Sequence, residues 1–207
     1  MKNRLAGSLV LTLSLFLSAC SNRGPDPVDY VNPYMGNISH LLVPTYPTVH
    51  LPNTMVRFYP DRESYTSNCI KSFPLNIISH RSGNIFSLLP FAGNEVSLNP
   101  PLSSTYDDES ITPYRYSVFL DEQEIGLKFA PAGKAGFFSL HFTQPSAHGF
   151  VLKTTGQGKL EYKNGSVSGY DTFDGVKTYL FLETDRLPET FRQAELIENS
   201  SAEIVLM

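Results

Sequence analysis

Apolar residues in this chain come in short runs, separated by clusters of Gly, Pro, Asn and Asp. Nowhere do they hold helical spacing for more than a couple of turns. That pattern predicts short strands over 55–59, 85–89, 114–120, 125–130, 136–142, 150–154, 159–162, 167–170 and 178–184. The sharpest local signal is Asn164-Gly165, set between two alternating runs, because both residues accept the positive φ of a type I′ hairpin turn. A second hairpin is expected at 121–124, joining 114–120 to 125–130. Within 136–142, Phe138, Leu140 and Phe142 can face one side while Phe137, Ser139 and His141 face the other. Short strands, frequent turns and no intervening helices predict an all-β fold, an antiparallel β-sandwich.

Residues 28–52 break the pattern. They hold four prolines and two histidines with little alternation, and read as an ordered loop crossing the domain. Long irregular segments in compact domains are often functional, so the site is sought here first. His40 and His50 bracket the Pro-rich stretch, and imidazole can hydrogen-bond a ligand hydroxyl in either tautomer. Tyr34, Tyr46, Tyr59 and Tyr65 offer an apolar ring face with a polar tip. The candidate substrate-binding residues are His40, Tyr46 and His50.

The N-terminus supplies an address. Lys2 and Arg4 precede an apolar run at 9–17, which is followed by Leu17-Ser18-Ala19-Cys20. A bilayer span needs ~20 apolar residues, so the run predicts a signal peptide over 1–19 and not an anchor helix. The Leu-Ser-Ala-Cys ending resembles the bacterial lipobox, which implies cleavage before Cys20 and a diacylglycerol on its thiol. Two or more acyl chains anchor stably, at ~0.8 kcal/mol per buried methylene. Residues 20–27 then form a polar tether, and 28–207 the folded domain. No acidic run follows Cys20. That favours the periplasmic face of the outer membrane over the cell surface.

Composition changes the picture only by exclusion. Loss of the signal takes the formal net charge from −4 to −6, and no cluster of Lys and Arg makes a nucleic-acid footprint. With Cys20 lipidated, Cys69 has no partner for an internal disulfide. The acidic groups 107–109, 121–124, 183–185 and Asp171 with Asp174 lie in or beside predicted turns and read as solvated residues. The histidines show no metal-ligand spacing. Thr155-Gly156-Gln157-Gly158 is a glycine-containing turn and not a phosphate loop.

The irregular segment also carries a resemblance. Asp29-Tyr-Val-Asn-Pro-Tyr-Met-Gly36, then Tyr46-Pro47, Pro52, Met55-Val56 and Pro60-Asp61, is similar to the opening of glycoside hydrolase family 92. Thr112-Pro-Tyr-Arg-Tyr-Ser-Val-Phe-Leu-Asp121 and Ile125-Gly-Leu-Lys-Phe-Ala130 resemble that family's tyrosine-rich strand and hairpin. The order and spacing of these motifs make the case. The resemblance implies a sandwich of the galactose-mutarotase-like type, preceding a helical (α/α)₆ barrel in full-length relatives. It implies exo-acting, calcium-dependent α-mannosidase chemistry, with the catalytic residues and the calcium ligands in that barrel. No catalytic residue and no metal ligand is therefore assigned in this chain. The family's Gly- and His-rich turn is replaced by residues 37–45, leaving His40 as its counterpart, and the chain has no Trp.

Residues 201–207 form an apolar run that reads as a strand with no turn after it. An unpaired strand at that point is an aggregation liability. The expectation is a chain cut short within its sandwich, lacking its barrel unless a neighbouring reading frame supplies it. Taken together, the sequence predicts a carbohydrate-related domain contributing a sugar-site wall, with a mannose-type glycan as partner. The alternative is a non-catalytic carbohydrate-binding or structural outer-membrane lipoprotein.

Overall fold

The computed structural model describes residues 24–41, 43–64, 66–79, 83–93, 103–196 and 201–207. The predicted signal peptide, Cys20, Tyr65, His80 and Arg81 lie outside the described residues. Two units divide the chain, 1–32 and 33–207. In the first, a 3₁₀ helix spans Pro27–Tyr30 and starts on a capping box: Asp26 accepts from Val28 N at 3.1 Å, and Asp29 accepts from Asp26 N at 3.1 Å.

The second unit is built from antiparallel strands. In chain order these are β1 (Asp61–Arg62), β2 (Cys69–Ile77), β3 (Asn84–Ala92), β4 (Ser104–Thr112), β5 (Arg115–Leu120), β6 (Ile125–Ala132) and β7 (Ala135–Phe142). There follow β8 (His148–Lys153), β9 (Gln157–Lys163), β10 (Ser166–Phe173), β11 (Val176–Glu183), β12 (Phe191–Leu196) and β13 (Ser201–Leu206). The larger sheet runs β12-β13-β8-β3-β2-β4-β5-β6-β7, with β1 also paired to β2. A smaller sheet runs β11-β10-β9. Both predicted hairpins form. Asn164 and Gly165 take φ of 53° and 84° between β9 and β10, and Leu120 pairs with Ile125 across residues 121–124. The alternation predicted in β7 holds, with Phe138, Leu140 and Phe142 half-buried and Phe137, Ser139 and His141 exposed.

Among the described residues three apolar clusters form: a small one of Leu89, Phe91, Val151 and Val205, and two larger cores. One gathers around Phe58, whose ring stacks on Phe129 at 4.2 Å and meets Tyr116 edge-on at 5.2 Å. It draws on β2, β5 and β6 through Phe73, Tyr116, Val118, Leu127 and Phe129. The other lies between the sheets, where Leu160 and Val167 of the small sheet meet Ile85, Phe86, Leu152 and Ile204.

Several expectations need correction. Residues 55–59 are not a strand. Phe58 makes a single bridge to Val49, and apolar burial holds the segment without a ladder. β1, β2, β4 and β12 were not expected: β1 is two charged residues, Pro74 argues against an interior strand, and β4 is largely polar. β13 is not an exposed edge, since it pairs with β12 on one side and β8 on the other.

Asp171 is not a solvated turn residue either. It is fully buried on β10 and accepts from Phe86 N at 2.9 Å, Thr155 N at 2.8 Å, Thr155 Oγ1 at 2.9 Å and Gly156 N at 2.9 Å. Phe86 has φ +50°, a strained value for a bulky residue, and the β2–β3 register skips it. Its N–H would be orphaned in the core, and the Asp171 carboxylate takes it. Thus the Thr155-Gly156 turn binds a carboxylate of its own chain. Asp171→Ala should strand those donors and destabilise the fold by roughly 3–5 kcal/mol, read as a lowered denaturation midpoint at constant slope.

Candidate functional site

The strongest concentration of buried polar chemistry lies where the motif segment meets β1 and β4. Arg62 follows Pro60-Asp61, and its guanidinium is ion-paired with Glu109; the two side chains are only 6% and 12% exposed. Arg62 Nη1 donates to Tyr106 Oη at 2.6 Å, and Tyr106 Oη donates to Ser67 O at 3.3 Å. Tyr116 Oη donates to Glu109 Oε1 at 2.9 Å, and Tyr34 Oη donates to Glu109 Oε2 at 3.3 Å. The guanidinium also lies 4.4 Å from the Tyr106 ring centroid and 5.1 Å from that of Tyr59.

A bulge makes this possible. Tyr106 and Glu109 are three residues apart and would face opposite ways in a regular strand. An extra residue enters β4 between Asp107 and Ser110, with Asp108 at φ +54°, so both side chains reach Arg62. Sequence reasoning placed Glu109 among solvated turn residues and gave Arg62 no role. The available signal was an Asp-Asp-Glu run inside a strand-length segment with an arginine after Pro60-Asp61.

The phenols respond to this setting. Burial, followed by the Glu109 charge and hydrogen bond, pushes Tyr34 up to about 12. Burial raises Tyr59 and Tyr106, and raises Tyr116 strongly with Glu109 adding to it. Burial opposes the Arg62 charge, but the phenols and Glu109 more than offset it. Burial also raises Asp61, against the Asn84 hydrogen bond and Lys71.

Of the predicted residues, Tyr46 joins this cluster by stacking on Tyr59 at 5.1 Å. His50 is half-buried and held at two points. Its backbone N donates to Pro113 O at 3.1 Å, and its Nε2 lies 3.2 Å from Thr54 O. A carbonyl only accepts, so Nε2 carries the proton and Nδ1 is left as an acceptor. His40 is exposed, and no recorded contact places it with Tyr46 or His50. The segment between them is pinned by Thr45 N to Gly36 O at 3.0 Å and by the Val49–Phe58 bridge. Among the described residues no group of three or more His, Cys, Asp or Glu could hold a metal ion, so no step is derived through calcium. No helix among them is long and apolar enough to cross a membrane.

The fold and the motif segment are those of a glycoside hydrolase N-terminal β-sandwich domain. The chain belongs to the glycosyl hydrolase family 92 N-terminal domain family, whose model matches residues 30–203. Solved structures agree in fold. A family 92 inverting mannosidase from Bacteroides thetaiotaomicron VPI-5482 superposes with a TM-score of 0.75 at 20% identity, over 90% of this chain and 30% of that one. A family 92 α-mannosidase from Bacteroides thetaiotaomicron gives 0.74 at 16% identity, over 89% of this chain and 32% of its own. The same enzyme with mannoimidazole gives 0.70 at 17% identity, over 86% and 30%. The chain thus spans about a third of the length of these relatives. No curated protein matches it.

The raised phenols give a signed expectation. A group whose folded pKa exceeds its unfolded value contributes stability below the unfolded value and loses it as pH rises through the folded one. Stability should therefore fall between pH 10 and about 12. An ultraviolet tyrosinate titration should show a fraction ionising well above 10, and Glu109→Gln should bring Tyr34 down.

Proposed function

We propose that this chain is the sandwich portion of an α-mannosidase-type glycoside hydrolase, carried as a lipoprotein anchored through Cys20 at the outer membrane. In this reading the 36–52 segment forms one wall of the sugar site. The domain supports a helical catalytic barrel, with its calcium, that these 207 residues do not include. The observation that carries the reading is the family match across nearly the whole folded chain, 30–203. The mannosidase names of its structural neighbours and the mannoimidazole complex of one of them support a mannose-type glycan.

The chemistry of the wall is consistent with that role. An irregular segment tied at Thr45, Val49 and His50 presents its side chains with little ordering entropy left to lose on binding. Tyr46 can offer a ring face to the apolar side of a pyranose, and His50 Nδ1 can accept from a sugar hydroxyl. Hydrolysis with inversion needs two carboxyl groups ~6.5–9.5 Å apart, one to protonate the leaving group and one to activate water. The buried acidic side chains are committed elsewhere, Glu109 to Arg62, Asp171 to backbone N–H groups and Glu203 to Lys153.

The chain alone should show no mannosidase turnover, and turnover above buffer would overturn the division of labour. Calorimetric titration with an α-mannoside should give saturable binding, weakened several-fold or more by Tyr46→Ala and by His50→Ala. Absence of binding would favour the structural-lipoprotein reading. In cells, Cys20→Ala should move the protein from the membrane fraction to the soluble one.

A further inference from the structure

The small sheet has two edge strands, and of these β9 receives a hydrogen bond at Leu160 O from Gln193 Nε2 of β12 at 3.1 Å. β11 pairs with β10 alone, and the chain leaves it past the Asn164-Gly165 turn, where Leu187 lies against Gly165. The β10–β11 hairpin turns on Asp174 and Gly175, at φ 47° and 77°, so Phe173 and Val176 form its closing hydrogen-bonded pair. Hydrogen-bonded positions alternate along an antiparallel ladder. Residues 176, 178, 180 and 182 therefore direct their backbone groups towards β10. Those of Lys177, Tyr179, Phe181 and Glu183 point to the open edge.

The side chains of those four residues share the outer face, which is set away from the core that Leu180 and Leu182 pack against. Tyr179 is 74% exposed and Phe181 65%. Lys177 leans over the Tyr170 ring, 3.7 Å from its centroid. Among the described residues neither Lys177 nor Glu183 makes an ion pair.

This strand is complementary to itself. Placed antiparallel to a second copy about a two-fold axis at Leu180, Lys177 faces the second copy's Glu183, and Tyr179 faces its Phe181. Each relation occurs twice by symmetry. The two facing pairs are the ones whose backbone groups point outward, so side-chain register and hydrogen-bond register coincide. A shift by one residue would lose both. We propose that β11 is a self-association edge: two copies of this chain join their small sheets into one continuous six-stranded sheet through Val176–Glu183. The occupant is a second copy because the charge order, the aromatic order and the ladder parity all meet at one symmetric register. An exposed edge of this length and apolarity would otherwise be an aggregation site.

Sedimentation of the full purified chain across the micromolar range, with thermal melts as a fold control, tests this. The expected result is a reversible dimer, weakened about tenfold or more by Lys177→Glu or Glu183→Lys alone, and restored when both reversals are combined. Phe181→Pro removes an outward N–H without touching the β10 ladder, and should abolish the dimer while leaving a cooperative melt. A monomer at every concentration would overturn the proposal. So would a dimer indifferent to the single reversals, or a double reversal no better than the singles.

Discussion

The structure around the motif segment depends on the charge pair between Arg62 and Glu109. Burying either charge alone would cost several kcal/mol. Phenols meet Arg62 Nη1 and both Glu109 oxygens, leaving only the buried Arg62 Nε of the pair without a hydrogen-bond partner among the described residues. Tyr34, Tyr59, Tyr106 and Tyr116 come from separate parts of the sequence, and each points at this one pair. The result fixes where Tyr34, β1 and β4 lie relative to each other. Tyr46 inherits its position by stacking on Tyr59. The proposed sugar wall is thus ordered by an ion pair that need not touch sugar.

A second polar anchor follows the same logic at the other core. Phe86 takes a backbone conformation its side chain disfavours, and Asp171 from the opposing sheet accepts its stranded N–H. The same carboxylate closes the Thr155-Gly156 turn. In both places the backbone leaves regular geometry, at Asp108 and at Phe86, and a carboxylate lies at the irregularity. The cores are apolar, but their registration is polar.

Local chemistry was legible in the sequence where it was sufficient. Asn164-Gly165 predicts its hairpin because positive φ is a property of those two residues, and β7 alternates as its Phe and Leu positions require. The strands left unseen are those whose residues argue against them singly. β2 carries Lys71, Ser72, Pro74 and Asn76, and β4 is acidic, so their pairing comes from neighbours far along the chain. Residues 55–59 erred the other way, apolar enough for a strand yet buried as a loop. In the irregular segment, Tyr46 and His50 were legible as aromatic and imidazole groups, and the structure adds their contacts with Tyr59 and Thr54. Arg62 and Glu109 were not legible, because a one-residue bulge decides which way Glu109 faces, and β4 had no periodic signal in which to place one.

The central claim is that the Arg62–Glu109 pair orders the proposed sugar wall at a distance. The most direct measurement is amide hydrogen exchange on the full chain with Glu109→Gln, compared residue by residue with the unaltered protein. The account predicts faster exchange at Thr45, Val49, His50 and Phe58, with β9 and β10 as protected as before. Unchanged exchange at those four amides would show that the wall is held without the ion pair, and would contradict the account.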